Sequence, residues 1–179
     1  MSRCSTRTLV CVEQDEVDRI VASWRRERPD LDVAPLEVLS RVGRLARHLD
    51  RRRREAFALT GIESWEFDVL AALRRAGEPY ELSPSQLMAQ TLVTSGTMTT
   101  RVEKLAARGL VDRARRESGD RRGVRVRLTP SGRSAVDAAF ERLLDHERTL
   151  LGALSDSERA ELAAMLRTLV LPFDGYELG

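Results

Sequence analysis

The residues of this 179-residue chain best suited to chemistry are arginines, and that chemistry is anion binding rather than bond making. Lys104 is the only lysine among 30 basic residues. A guanidinium stays charged at any biological pH and offers a planar fork of donors that matches phosphate oxygens and the edge of guanine. GC-rich coding also raises the global arginine ratio, so only placement is informative. From Arg108 to Arg127, eight arginines (Arg108, Arg113, Arg115, Arg116, Arg121, Arg122, Arg125 and Arg127) stand against three acids, Asp112, Glu117 and Asp120. In a chain of formal net charge +2, this local excess is the footprint expected for a phosphate backbone.

Immediately upstream lies a set of small hydroxyls. Ser95, Thr97, Thr99 and Thr100 fall on the outward side of a predicted helix that Thr94 can cap, with Lys104 further along it. Small polar side chains let a helix approach base edges in a major groove without steric conflict. Other chemistries find little support. His48 and His146 are isolated, the acids are scattered, and no Ser/His/Asp, Cys/His or phosphate-loop constellation is present, so neither catalytic residues nor an enzyme are expected. Cys4 and Cys11 lack CxxC spacing and a nearby histidine, so no metal site is expected.

These residues need a scaffold, and the sequence predicts a mainly α protein with a small β-ribbon. A helix over Glu13 to Arg28 carries Val17, Ile20, Val21 and Trp24 on one stripe, with acids at its positive end. After Pro29, a long helix from about Pro35 to Leu59 places Leu36, Leu39, Val42, Leu45, Leu49 and Phe57 near one face, and Gly61 stops it. Its Arg51 to Arg54 run points in all directions and reads as a solvated face or, alternatively, a phosphate contact. A third helix covers Ser64 to Arg75.

Ser83-Pro84-Ser85-Gln86 is a compact helix start, with Ser83 as cap and Gln86 reaching back. The helix ends near Gln90, Thr91 to Val93 turns, and Thr94 can cap a second helix to about Arg108, with Met98, Val102 and Leu105 facing inward. Gly109 closes it. Strands at Leu110 to Arg116 and Val124 to Leu128 then form a two-stranded hairpin around a glycine-flanked tip, where Asp120 can hold a neighbouring guanidinium and Arg121 or Arg122 can enter a minor groove. Thr129-Pro130 starts a long helix, and Ser155 with Glu158 starts the last one.

The pattern is a winged helix-turn-helix flanked by dimerisation helices. The expected organisation is a leader over 1–12, an extra N-terminal helix over 13–30, dimerisation helices over 35–60 and 130–172, and a DNA-binding lobe over 61–129. A two-fold dimer would read half-sites about 34 Å apart. The first residues lack a continuous apolar core and a small-residue cleavage site, and no run approaches a membrane span, so a soluble cytoplasmic protein is expected.

With these residues placed, the chain resembles the multiple antibiotic resistance regulator (MarR) family over roughly Pro35 to Val170, through SPSQLMAQTLVTSGTMTTRVEKLAARGLV and GDRRGVRVRLTPSG. The resemblance implies a homodimeric repressor of double-stranded DNA, contacted by Thr94, Ser95, Thr97, Thr99, Thr100, Lys104, Asp120, Arg121, Arg122 and Arg125. More narrowly, the chain resembles the urate-responsive branch, which has an extra helix bearing a tryptophan. That likeness implies no cofactor but a small-molecule effector, urate or another purine or aromatic anion, on Trp24, Asp68 and Arg101. Ala76 stands where the branch carries a further polar residue. In this scheme Trp24 stacks on the ring, Arg101 takes the charge, and Asp68 is repelled by that charge or loses its Arg101 partner to it.

Each of the three has another reading. Trp24 can staple the first helix to the core, Asp68 can be a solvated acid beside Arg75, and Arg101 can touch a phosphate. Two alternative functions also stand beside a ligand-responsive repressor: a thiol trigger at Cys4 or Cys11, and a sequence-nonspecific architectural DNA-binding protein.

Overall fold

The computed structural model describes residues 14–115 and 124–173. The chain divides into two compact units, one ending at Arg51 and the other beginning at Arg52. Cys4, Cys11, Asp120, Arg121 and Arg122 lie outside the described residues.

The first unit contains α1 (Glu16–Glu27) and most of α2 (Ala34–Ala58). The periodicity predicts a start at Glu13, but Asp15 sets it. Its carboxylate accepts from the Asp18 N–H at 3.0 Å, while Asp18 accepts from the Asp15 N–H at 2.9 Å, satisfying two helix-end donors reciprocally. Val17 and Val21 are buried with Val33, and Leu36 packs against them. Arg41 of α2 binds Asp15 at 2.8 Å and Asp18 at 2.7 Å, and Arg44 pairs with Glu16. The acids placed at the α1 dipole therefore also dock α2. Leu39, Val42, Leu45 and Leu49 of α2 remain exposed.

In the second unit, α2 ends with Phe57 fully buried and Gly61 at φ 69°. The Gly61 N–H donates to the Ala58 carbonyl and the Ile62 N–H to the Phe57 carbonyl, a left-handed cap that suits glycine. The order continues α3 (Ser64–Arg75), β1 (Glu81–Leu82), α4 (Pro84–Thr91), α5 (Ser95–Ala107), β2 (Val111–Arg115), β3 (Val124–Leu128), α6 (Pro130–Leu151) and α7 (Asp156–Val170), closed by a 3₁₀ turn at Leu171–Phe173. No helix among the described residues is long and apolar enough to cross a membrane.

The expected two-stranded ribbon is a three-stranded antiparallel sheet ordered β1-β3-β2. Glu81 stands opposite Arg127, and Val111 opposite Leu128. β1 is two residues long, too short for an alternating pattern to reveal, yet it covers the otherwise open edge of β3.

One core joins Phe57, Leu70, Leu73, Leu87, Met98, Leu105, Val126 and Val136. α3 packs against both α4 and α6, so it joins the helix-turn-helix to the long helix α6. Thr129 caps α6 by accepting from the Gly132 N–H at 2.9 Å. A Cβ at Gly132 would lie 2.0 Å from the Leu110 carbonyl oxygen, so glycine permits the close approach of α6 to the start of β2. The Ser83–Gln86 and Ser155–Glu158 capping boxes both form as their sequences predict.

Candidate nucleic-acid interface

Burial fixes the orientation of α5. Met98, Val102 and Leu105 recur every three to four residues and face the core. The opposite face leaves Ser95, Thr97, Thr99, Thr100 and Lys104 exposed, as expected for a reading helix. Thr94 occupies the N-cap in extended conformation, but its hydroxyl meets Thr97 Oγ1 at 3.0 Å instead of a helix N–H. Without a side-chain cap bond, the positive end of α5 retains unsatisfied donors suited to an anion. The Thr99 and Thr100 hydroxyls donate to the Ser95 and Gly96 carbonyls at 3.1 and 3.2 Å. Their donors are thus used inside the helix, leaving lone pairs and methyl groups toward solvent.

The turn before α5 positions it. Leu92 adopts a left-handed conformation, φ 53°, with its side chain exposed. At the far end, Arg108 donates to Glu66 and, at 2.7 Å, to the Gly61 carbonyl. Glu66 is 1% exposed and also accepts from the Glu63 N–H at 2.9 Å. A single buried carboxylate thus ties the start of α3 to the end of α5. Sequence reasoning missed Glu66; the signal was its place four and seven residues before Leu70 and Leu73, on the buried stripe of α3.

The arginine footprint is smaller than the count of eight suggests. Arg108 is held by Glu66, Arg113 pairs with Glu103 at 3.3 Å, and Arg127 with Glu81 at 2.8 Å. Arg125 differs, because its partner is the neutral Gln86 carboxamide at 3.1 Å. Its charge is not cancelled there. Arg101 and Lys104 lie over the Trp65 ring at 5.7 and 5.9 Å from its centroid, and Trp65 was another residue that sequence reasoning did not assign to a site.

The three residues assigned to an effector fall in different surroundings. Trp24, in the first unit, is half exposed along a groove with Glu16, Arg19, Ile20, Ser23 and Glu27. In the second unit, Asp68 accepts from Arg53 at 2.8 Å, so the expected Arg101 partner is replaced by a member of the run read as solvated. A guanidinium at position 53 can lie over Phe57 and Phe67, each at 5.5 Å, which draws it out of the solvent-facing series. Asp68 lines a cleft of about 230 Å³ with Arg53, Phe67, Arg75, Gln90 and Thr91, whereas Arg101 lines a separate cleft with Trp65, Thr97 and Thr100. Ala76 is the C-cap of α3. Among the described residues, no group of three or more His, Cys, Asp or Glu side chains is placed to hold a metal ion.

The MarR family model matches residues 60–123. The chain is 38% identical to the HTH-type transcriptional regulator PecS of Dickeya dadantii over 84% of this chain and 90% of that protein. Among solved structures, a mutant of E. coli MarR complexed with operator DNA is similar at TM-score 0.63 and 26% identity, over 77% of this chain and 95% of that one. BpsR of Bordetella bronchiseptica, whose structure concerns regulation of DNA binding by 6-hydroxynicotinic acid, is similar at TM-score 0.56 and 29% identity, over 72% and 98%.

Proposed function

This chain belongs to the MarR family, and on that premise we propose a repressor that leaves a pseudo-palindromic operator when a small aromatic anion binds. The observation that carries the DNA-binding part is the exposed hydroxyl face of α5, set on a rigid core and flanked by Arg101, Lys104 and Arg125. Thr99 and Thr100 turn acceptor lone pairs and methyls outward, which suits the amino groups of adenine and cytosine and the thymine methyl. In this reading residues 61–129 form the reading lobe, with Asp120, Arg121 and Arg122 at its tip.

The protein acts as a homodimer. Leu39, Val42, Leu45 and Leu49 of α2 are exposed, as are Phe140, Leu150, Met165, Leu166 and Leu169 of α6 and α7. Apolar faces of this extent call for a partner surface, and a second copy supplies one. Dimerisation through 35–60 and 130–172 also presents two α5 helices to two half-sites.

The effector is a planar anion, urate or a related purine or aromatic acid, contacting Trp24, Asp68 and Arg101. Support comes from the residue types: an exposed indole, a guanidinium, and a carboxylate whose hold on Arg53 an anion can contest. BpsR, whose DNA binding is regulated by an aromatic acid, is consistent with this class. Titrating an operator-bound sample with urate, salicylate and purines tests it. Release by one class and not the others supports the reading, and operator binding indifferent to all of them removes the effector.

A further inference from the structure

We propose that Trp65 is the floor of a two-cation clamp that holds Arg101 and Lys104 ready for one backbone phosphate of bound DNA; this rests on the DNA-binding reading above. The two cations are three residues apart on α5 and share one edge of the helix. Both lie over the same indole ring, at 5.7 and 5.9 Å from its centroid. The ring is itself fixed, because its N–H donates to Glu63 at 2.7 Å. Tryptophan is the strongest aromatic partner for a cation, and its negative π-face does not neutralise the charge as a carboxylate would.

Among the described residues neither Arg101 nor Lys104 pairs with an acid, and Glu103 between them is engaged by Arg113. Arg108, Arg113 and Arg127 have carboxylate partners and must give them up to meet DNA. Arg101 and Lys104 need not. The cleft they share with Trp65, Gly96, Thr97 and Thr100 is about 440 Å³ and opens to solvent, and a Cβ at Gly96 would meet nothing within 4 Å. That leaves room for a phosphodiester and its sugar. Two long side chains normally lose much rotamer freedom on gripping a phosphate, and the ring reduces that loss by holding them beforehand. The clamp reads no bases; it sets register and orientation. An effector anion that drew Arg101 off the ring would dismantle it.

The test is a double-mutant cycle on the full chain, with fluorescence anisotropy on duplex from beside its own gene and on random duplex at several salt concentrations. Trp65→Leu should weaken both duplexes by a similar factor, roughly tenfold, and Trp65→Phe should restore most of the loss. Arg101→Gln with Lys104→Gln should flatten the salt dependence by about one phosphate contact, and W65L added to that pair should cost nothing more. A W65L protein that binds like wild type overturns the clamp. So does a W65L loss that persists undiminished in the R101Q/K104Q background, or a W65F protein that keeps its melting temperature yet binds no better than W65L. If wild type binds neither duplex, the DNA-binding reading falls and the clamp with it.

Discussion

The Asp68 carboxylate accepts a hydrogen bond from Arg53 at 2.8 Å, while the same guanidinium lies 5.5 Å from the ring centroids of both Phe57 and Phe67. Two rings fix the cation and one acid holds it, beside a cleft whose other wall includes Gln90 and Thr91 at the end of α4. An anion entering there would meet a positioned guanidinium beside the turn that leads into α5. In the effector reading proposed above, this is where ligand and DNA would oppose each other.

Asp68→Asn removes the competing charge and leaves Arg53 in place. Both partners are more than a third exposed, so the pair contributes about 0–1 kcal/mol and the melting temperature should barely move. Release of DNA by an anionic effector should then need about fivefold less ligand. A response identical to wild type would take Asp68 and Arg53 out of the mechanism.

Glu66 is different because it is buried and serves two donors at once. Glu66→Gln keeps an acceptor for the Glu63 N–H and should cost about 1 kcal/mol, while Glu66→Ala orphans it and loosens Arg108, costing about 1–3 kcal/mol. Chemical denaturation measures both. Equal destabilisation would mean that the carboxylate charge facing Arg108 matters, and that filling the space and keeping a neutral acceptor do not.

Arg125 and Arg127 are two residues apart on β3 but should behave unequally toward DNA. Arg125→Ala removes a cation that, among the described residues, is held by the neutral Gln86 and should reduce operator affinity and the salt slope by about one contact. Arg127→Ala removes a cation already paired with Glu81 and should change either far less. Matching losses would show that Glu81 releases Arg127 when DNA binds.

The contrast shows what the sequence could and could not reveal. Helix periodicity, the Ser83 and Ser155 boxes and the alternation of β3 are local patterns, and the elements appear within a few residues of where those patterns put them. The inward set Met98, Val102 and Leu105 was equally legible. Pairings between distant residues were not. Arg53 with Asp68, Arg108 with Glu66 and Arg127 with Glu81 join positions 15, 42 and 46 residues apart, so nothing in local spacing announces them. Trp65 falls in the predicted third helix with nothing local to mark it, and its approach to Arg101 and Lys104 appears only when α3 and α5 are placed together.

The first unit should loosen in acid. Hydrogen bonds from Arg41 hold the Asp15 carboxyl below its ordinary value of 3.8. A depressed carboxyl pKa contributes stability fully above the unfolded value, and that contribution is lost as pH falls through the folded value. In Trp65→Phe protein only Trp24 of the two tryptophans remains, so its emission reports on α1. The signal should hold steady from neutral pH down to about 4 and change below 3.8, and Asp15→Asn should remove or displace that step. An acid transition unaltered by D15N would place it elsewhere.

The most direct test of ligand-controlled DNA recognition is binding of the full chain to the intergenic duplex beside its own gene at fixed salt, against random duplex, with and without urate, salicylate and related purines. The account predicts selective binding to the intergenic duplex that a planar anion abolishes. Equal affinity for random duplex, or an operator complex that no anion disturbs, would contradict it.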